Sequence, residues 1–245
     1  NFTGLGSSVY FTAHDPVAGL ELFVTDGTTA GTRLAVDVQP GPGGAAPDLI
    51  RALGGLLVFN AWDGVNGREL WVSDGTPAGT RMVVDLDPGA GSSVPRDFLP
   101  IAGGLMFTAT SPGVGRELFA TDGTLAGTRI VRDVSPGPFS ASPTEFAPAG
   151  NAYYFSATTN AGRELWITDG TSAGTRRVAD IAQGTRSSYP KDIAVMSNGI
   201  ALFAADDGLG GAELWRTSGT AGCPGRICSA RPRDSSLRRR PIFSA

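Results

Sequence analysis

The chain has 245 residues, 41% of them hydrophobic and 18% charged, with a formal net charge of −3. That balance describes a globular chain long enough to bury a sizeable core, not a disordered one. No run of about 18 apolar residues is present to cross a bilayer, so no membrane insertion is expected, and the start lacks the basic-then-apolar pattern of a signal peptide.

Charge is unevenly placed. Residues 221–245 hold six Arg and one Asp, a net of +5, which leaves −8 on the remainder. An acidic body lacks the clustered positive surface that a phosphate backbone requires, so no nucleic-acid partner is expected. The 35 Gly and 17 Pro point to many short elements joined by turns.

The chain is a repeat. Phe11, Phe59, Phe107, Phe155 and Phe203 are each 48 residues apart, and Glu21, Glu69, Glu117, Glu164 and Glu213 follow at intervals of 48, 48, 47 and 49. Asp26, Asp74, Asp122 and Asp169 recur with them, each followed by Gly-Thr, and Pro47, Pro95, Pro143 and Pro190 keep the same register. A period of this size signals a stack of small supersecondary units.

In chain order, residues 1–5 read as a first strand, because Phe2 falls 96 positions before Phe98. In the second unit, residues 69–74 (ELWVSD) form a third strand that places Glu69, Trp71 and Ser73 on one face and Leu70, Val72 and Asp74 on the other. The aromatic slot takes Phe23, Trp71, Phe119, Trp166 and Trp215 in turn, which suits packing. Asp74-Gly75-Thr76 opens a hairpin loop: the carboxylate accepts from backbone amides two residues on, and glycine supplies a positive φ. Asp26, Asp74, Asp122 and Asp169 are therefore structural turn residues. Glu69 is expected to pair with Arg68, Arg116 or Arg163, or to ligate a cation. The third unit shows all four strands: residues 97–101, 105–109, 117–121 and 129–134, rich in β-branched and aromatic side chains and bounded by Gly, Pro, Asp or Ser.

Four strands per 48 residues is the size of a propeller blade. The expected fold is an all-β propeller of five blades, near residues 1–46, 47–94, 95–142, 143–189 and 190–220; a fragment of a longer array is the alternative. In the last unit Ser218 stands in the place of the turn Asp, and the second loop glycine falls on Cys223. Residues 221–245 form a degenerate Arg-rich tail that completes or replaces the end of that blade. Cys223 and Cys228, the two cysteines, are candidates for a small disulfide loop in an oxidising compartment.

The segments GRELWVSDGTPAGTR, GRELFATDGTLAGTR and GRELWITDGTSAGTR resemble the bacterial E-L-W-x-x-D-G-T repeat family over roughly residues 1–220. The resemblance implies a propeller-like β fold and export to the cell surface or the outside, the chain then being a mature part or an excised domain. It carries no catalytic residues. In repeat size the chain is also similar to five-bladed tachylectin-type lectins, an analogy of fold alone.

Catalytic constellations are thin. His14 is the one histidine, expected on a loop between a second and a third strand, and nothing marks partners for it. The repeated acids share like environments, whereas a glycosidase pair needs unlike ones; no enzyme is expected. A single ligand site must break the symmetry of the repeats, so the loop after the second strand is the place to look. There Trp62 stands beside Asp63 and Asn66, an aromatic with polar neighbours of the kind that stacks on a sugar ring. Asp85 and Asp87 are candidate calcium ligands, oxygen donors two residues apart; otherwise no cofactor is expected. These readings lead to a non-catalytic extracellular binding or adhesion module for glycan or protein, monomeric unless part of a longer array. The alternatives are a structural spacer without a ligand and a hydrolase on a propeller scaffold.

Overall fold

The computed structural model describes residues 2–219 and 225–226. They form five four-stranded antiparallel sheets, each a meander in chain order, with no helix among the described residues. The first holds β1 (Phe2–Leu5), β2 (Ser8–Asp15), β3 (Gly19–Thr25) and β4 (Arg33–Val36). The second holds β5 (Asp48–Leu53), β6 (Leu56–Trp62), β7 (Arg68–Ser73) and β8 (Arg81–Val84). The third holds β9 (Arg96–Ile101), β10 (Gly104–Ser111), β11 (Gly115–Thr121) and β12 (Arg129–Arg132). The fourth holds β13 (Thr144–Ala149), β14 (Ala152–Thr159), β15 (Gly162–Thr168) and β16 (Arg176–Arg177). The fifth holds β17 (Lys191–Val195), β18 (Ala201–Asp206), β19 (Ala212–Thr217) and β20 (Gly225–Arg226). The expected strands of the third unit are all present; the fourth stops at Arg132, two residues short, where the chain turns away. Cys223, Cys228 and the rest of the tail other than β20 lie outside the described residues.

Register explains the spacing of the aromatics. Phe59 sits directly across from Trp71, Phe107 from Phe119, Phe155 from Trp166 and Phe203 from Trp215. Rings on the first strand extend the row: Phe98 lies 5.7 Å from Phe107, which lies 5.7 Å from Phe119. Such cross-strand aromatic pairs stabilise a sheet by about 0.2–1 kcal/mol each relative to a pair of alanines. The opposite face of each of the first four sheets is mainly aliphatic, with a tyrosine in the first and fourth, and it covers the aromatic face of the next. Tyr10, Leu22 and Val24 pack on Phe59 and Trp71; Val58, Leu70 and Val72 on Phe107 and Phe119. Met106, Leu118 and Ala120 pack on Phe155 and Trp166, and Tyr154 and Leu165 on Phe203 and Trp215. First strands of successive sheets lie against each other, β1 on β5, β5 on β9 and β13 on β17, so they form the inner wall of the stack.

The hairpin loop repeats atom for atom in the first four sheets. Asp74 Oδ1 accepts from the Thr76 amide at 2.9 Å and from its hydroxyl at 2.7 Å. Thr76 Oγ1 accepts from the Gly79 amide, and the Thr80 hydroxyl donates to the Thr76 carbonyl. Gly75 has φ 92°. Gly79 is required for a different reason, because a Cβ there would lie 2.1 Å from the Asp74 carboxyl carbon. Hydrogen bonds from the Thr side chain and amide hold Asp26, Asp74 and Asp122 below the usual carboxylate range.

The repeated glutamate does not pair with Arg68, Arg116 or Arg163. Glu21, Glu69, Glu117 and Glu164 are completely buried, and each accepts hydrogen bonds from the segment that leads to the next sheet. Glu117 accepts from the amides of Val134, Ser135 and Ala141 at 3.0–3.1 Å. Glu21 takes the amides of Val38, Gln39 and Ala45; Glu69 takes those of Leu86 and Ser93 with the Ser93 hydroxyl. Glu164 takes the amides of Ile181, Ala182 and Ser188 with the Ser188 hydroxyl. The arginines turn instead to backbone carbonyls at the entry to their own sheet: Arg68 to Ala46, Arg116 to Val94 and Arg163 to Ser142. A buried chain of amides needs acceptors more than a buried acid needs a cation that would itself be desolvated.

Two predictions follow from these contacts. Burial pushes Glu117 up from 4.5 to about 7, and raises Glu21, Glu69 and Glu164 in the same direction. Between 4.5 and 7 the folded chain binds the Glu117 proton and the unfolded chain does not. This contribution to stability is therefore full below pH 4.5 and lost as pH rises through about 7. The thermal midpoint should fall from pH 5 toward pH 8, and Glu117→Gln should flatten that fall while costing about 1–3 kcal/mol at pH 5 through a lost acceptor. In the hairpin, Gly79→Ala should destabilise by about 1–3 kcal/mol by displacing Asp74. In a double-mutant cycle read by denaturant unfolding, adding Gly79→Ala to Asp74→Ala should cost much less than Gly79→Ala alone.

Candidate functional site

A concavity of about 1090 Å³ lies along the inner wall and draws residues from the first four sheets. That is at the upper end of the roughly 300–1,000 Å³ of ordinary ligand sites. Its charged lining is Asp48, Asp97 and Glu145 against Arg51, Arg68 and Arg96. Equal numbers of acids and arginines make it unsuited to a bare anion or a bare cation, and suited to a ligand that carries both kinds of polar group.

The backbone aims these groups inward. Each connection into a first strand carries two residues in the left-handed region bracketing the repeated proline: Ala46 and Leu49, Val94 and Asp97, Ser142 and Glu145, Tyr189 and Asp192. All have φ between 44° and 59°, and none is glycine. The second of each pair falls within a register shift between the first and second strands. A bulge of this kind bends its strand and re-aims the side chain, and non-glycine residues hold such angles at a cost of order 1–3 kcal/mol. The surrounding hydrogen bonds impose the bend: Val94 donates its amide to the Arg68 carbonyl at 3.0 Å, Ala46 to Leu20 and Ser142 to Arg116.

Several of the charges are already engaged. Arg68 donates to the Ala46 carbonyl, the Thr108 hydroxyl donates to Asp97, and Asp48 accepts from the Leu49 amide. Arg51 spends Nη1 on the Ile50 carbonyl, and one Glu145 oxygen accepts from the Asp192 amide at 3.2 Å. The Arg96 guanidinium makes no hydrogen bond or salt bridge among the described residues. It lies close enough to Arg116 that, after burial, it is the second cause depressing the Arg116 pKa.

The residues singled out from sequence lie elsewhere. Trp62 ends β6 and is 38% exposed, but it does not line the cavity. Asp63 and Asn66 are spent on their own loop: Asp63 Oδ1 accepts from the amides of Val65 and Asn66, and Oδ2 from the Asn66 side chain. Burial works to raise Asp63, and these donors outweigh it and hold it low. His14 is exposed within β2, opposite Leu20, rather than on the following loop. Asp85 Oδ2 accepts from the Gly89 amide and Asp87 Oδ2 from the Ser92 amide. Among the described residues no three acidic, histidine or cysteine side chains are placed together to hold a metal ion, and no helix is long and apolar enough to cross a membrane. The cavity residues were legible in one respect: Leu49, Asp97 and Glu145 share a position at which the copies disagree.

No protein-family model matches the chain, and no curated protein matches its sequence. Among solved structures it is similar to prolyl endopeptidases, with a TM-score of 0.53 and 12% identity over 92% of this chain and 34% of that one. It is also similar to a puromycin-hydrolyzing peptidase of Mycobacterium tuberculosis, with a TM-score of 0.52 and 15% identity over 92% of this chain and 38% of that one. The chain therefore spans little more than a third of the length of these proteins. The likeness shows a β-propeller-like all-β fold. The expectation of a non-catalytic adhesion or glycan-binding module is contradicted, since the two proteins just named, of like fold, are peptidases.

Proposed function

We propose that the five sheets are propeller blades of a hydrolase-type protein, and that the inner cavity holds a short stretch of polypeptide for it. The observation that carries this reading is the cavity lining, in which guanidinium and carboxylate groups face the same space. A peptide offers both matching charges and a row of amide donors and acceptors. The similarity in fold to about a third of each of two peptidases supports the same reading. The E-L-W-x-x-D-G-T resemblance supports export to the cell surface or beyond.

Binding of a fluorescently labelled hexapeptide, followed by polarisation, tests the proposal. Arg96→Ala and Glu145→Gln should each weaken it about tenfold, equivalent to about 1.4 kcal/mol. Absence of binding at millimolar chain, or binding by both variants equal to that of the wild type, would sink it. For calcium at Asp85 and Asp87, a thermal midpoint that chelator lowers would support the ion, and an unchanged midpoint removes it from consideration.

A further inference from the structure

A recess of about 300 Å³ lies between the third sheet and the entry to the fourth, and it shares Arg96, Asp97 and Thr144 with the inner cavity. Two positions of the repeat meet in this region: the residue after the repeated proline and the residue before the repeated glutamate. From the second unit to the fourth, the first position reads Asp48, Arg96 and Thr144, and the second reads Arg68, Arg116 and Arg163. In the fourth sheet the two are complementary, since Arg163 donates to the Thr144 hydroxyl. In the second sheet they are an acid and an arginine, and both line the cavity. Among these three sheets, the third alone sets an arginine against an arginine.

Both of its arginines converge on Thr108. The Thr108 hydroxyl accepts from Arg116 Nη1 at 3.2 Å, and the Thr108 backbone is the cross-strand partner of Arg96. Arg116 forms the floor of the recess: it is half-buried, and Nη2 donates to the carbonyls of Val94 at 3.1 Å and Ser93 at 3.4 Å. Arg96 stands at the mouth, exposed, with its guanidinium unspent among the described residues. Burial depresses Arg116 most, the Arg96 charge depresses it further, and Asp97 offsets this by less than Arg96 contributes.

The balance of charge selects the ligand. Two guanidiniums and the Asp97 carboxylate, which the Thr108 hydroxyl already bonds, leave a single positive charge. A carboxylate balances it and presents two planar oxygens to the planar donor forks of arginine. A phosphate would bring a second negative charge up against Asp97.

We propose that the recess between Arg96 and Arg116 is a carboxylate subsite of the inner cavity, taking the C-terminus or an acidic side chain of the bound polypeptide. This rests on the reading that the cavity holds polypeptide, and it adds the contact that fixes where along the wall that polypeptide lies.

Three labelled hexapeptides, alike but for one group, test this by polarisation. One has a free C-terminus and no acidic side chain, one is amidated and has no acid, and one is amidated with an internal glutamate. The wild type should bind a carboxylate-bearing peptide about tenfold more tightly than the acid-free amide. Which of the two gains identifies the source of the carboxylate. Arg96→Thr, the residue that the fourth unit carries at this position, should erase the preference, and Arg96→Lys should keep part of it. Circular dichroism and thermal midpoint show that each variant is folded; the midpoint of Arg96→Thr should not fall, because a like charge beside Arg116 is removed. Equal wild-type affinity for all three peptides overturns the subsite and leaves the polypeptide reading standing. A preference that survives Arg96→Thr also overturns the subsite, and binding of none of the three removes both readings.

Discussion

A carboxylate without a counter-ion organises this molecule. Glu21, Glu69, Glu117 and Glu164 each stand on the third strand of their sheet, reach the segment that leads away, and take two or three backbone amides from it. Those amides belong to a chain that has left one sheet and not yet joined another, so no ladder is available to them. Left buried and unpaired, each would cost about 1–3 kcal/mol. One side chain satisfies them together and fixes where the next first strand begins. The spacing between sheets, the inner wall and the cavity all follow from that fixed departure. The energetic tension is in the charge: desolvation works against the ionised form even while several donors favour it, and desolvation is the larger effect.

Much of this architecture was legible because it is periodic. The 48-residue interval of Phe59 and Phe107 reflects cross-strand partners of Trp71 and Phe119, and the Asp-Gly-Thr of the hairpin reads as turn chemistry without a structure. The partner of Glu69 was not legible. Arginines are visible as letters and amides are not, so the sequence offered Arg68, Arg116 and Arg163 while the structure uses Leu86 and Ser93. The strands of the third unit were placed within two residues, and His14 was displaced from a loop into β2 because the second strand runs on to Asp15.

The candidate site was harder to see for a reason tied to backbone geometry. Asp97 and Glu145 face the cavity because they sit at bulges with left-handed φ, and nothing in an aspartate or glutamate announces such an angle as a glycine would. Trp62, Asp63 and Asn66 drew notice through rare residue types in a variable loop, yet that loop spends its polar atoms on itself. Positions shared by all copies build the stack, and positions that differ give the cavity its mixed charge. The division holds for the inner first strands as much as for the loops.

The hairpin glycine carries a consequence beyond its own turn. The Asp74 carboxylate occupies the volume that a Cβ on residue 79 would need, so the two positions exclude one another's alternatives and behave as a single unit of inheritance. An aspartate demands the glycine; once the aspartate is gone, the demand lapses. The fifth repeat fits that coupling, since Ser218 replaces the acid and Cys223 falls on the glycine position in the same copy. Divergence in such an array should proceed by paired steps, each unit losing both members of its lock or neither.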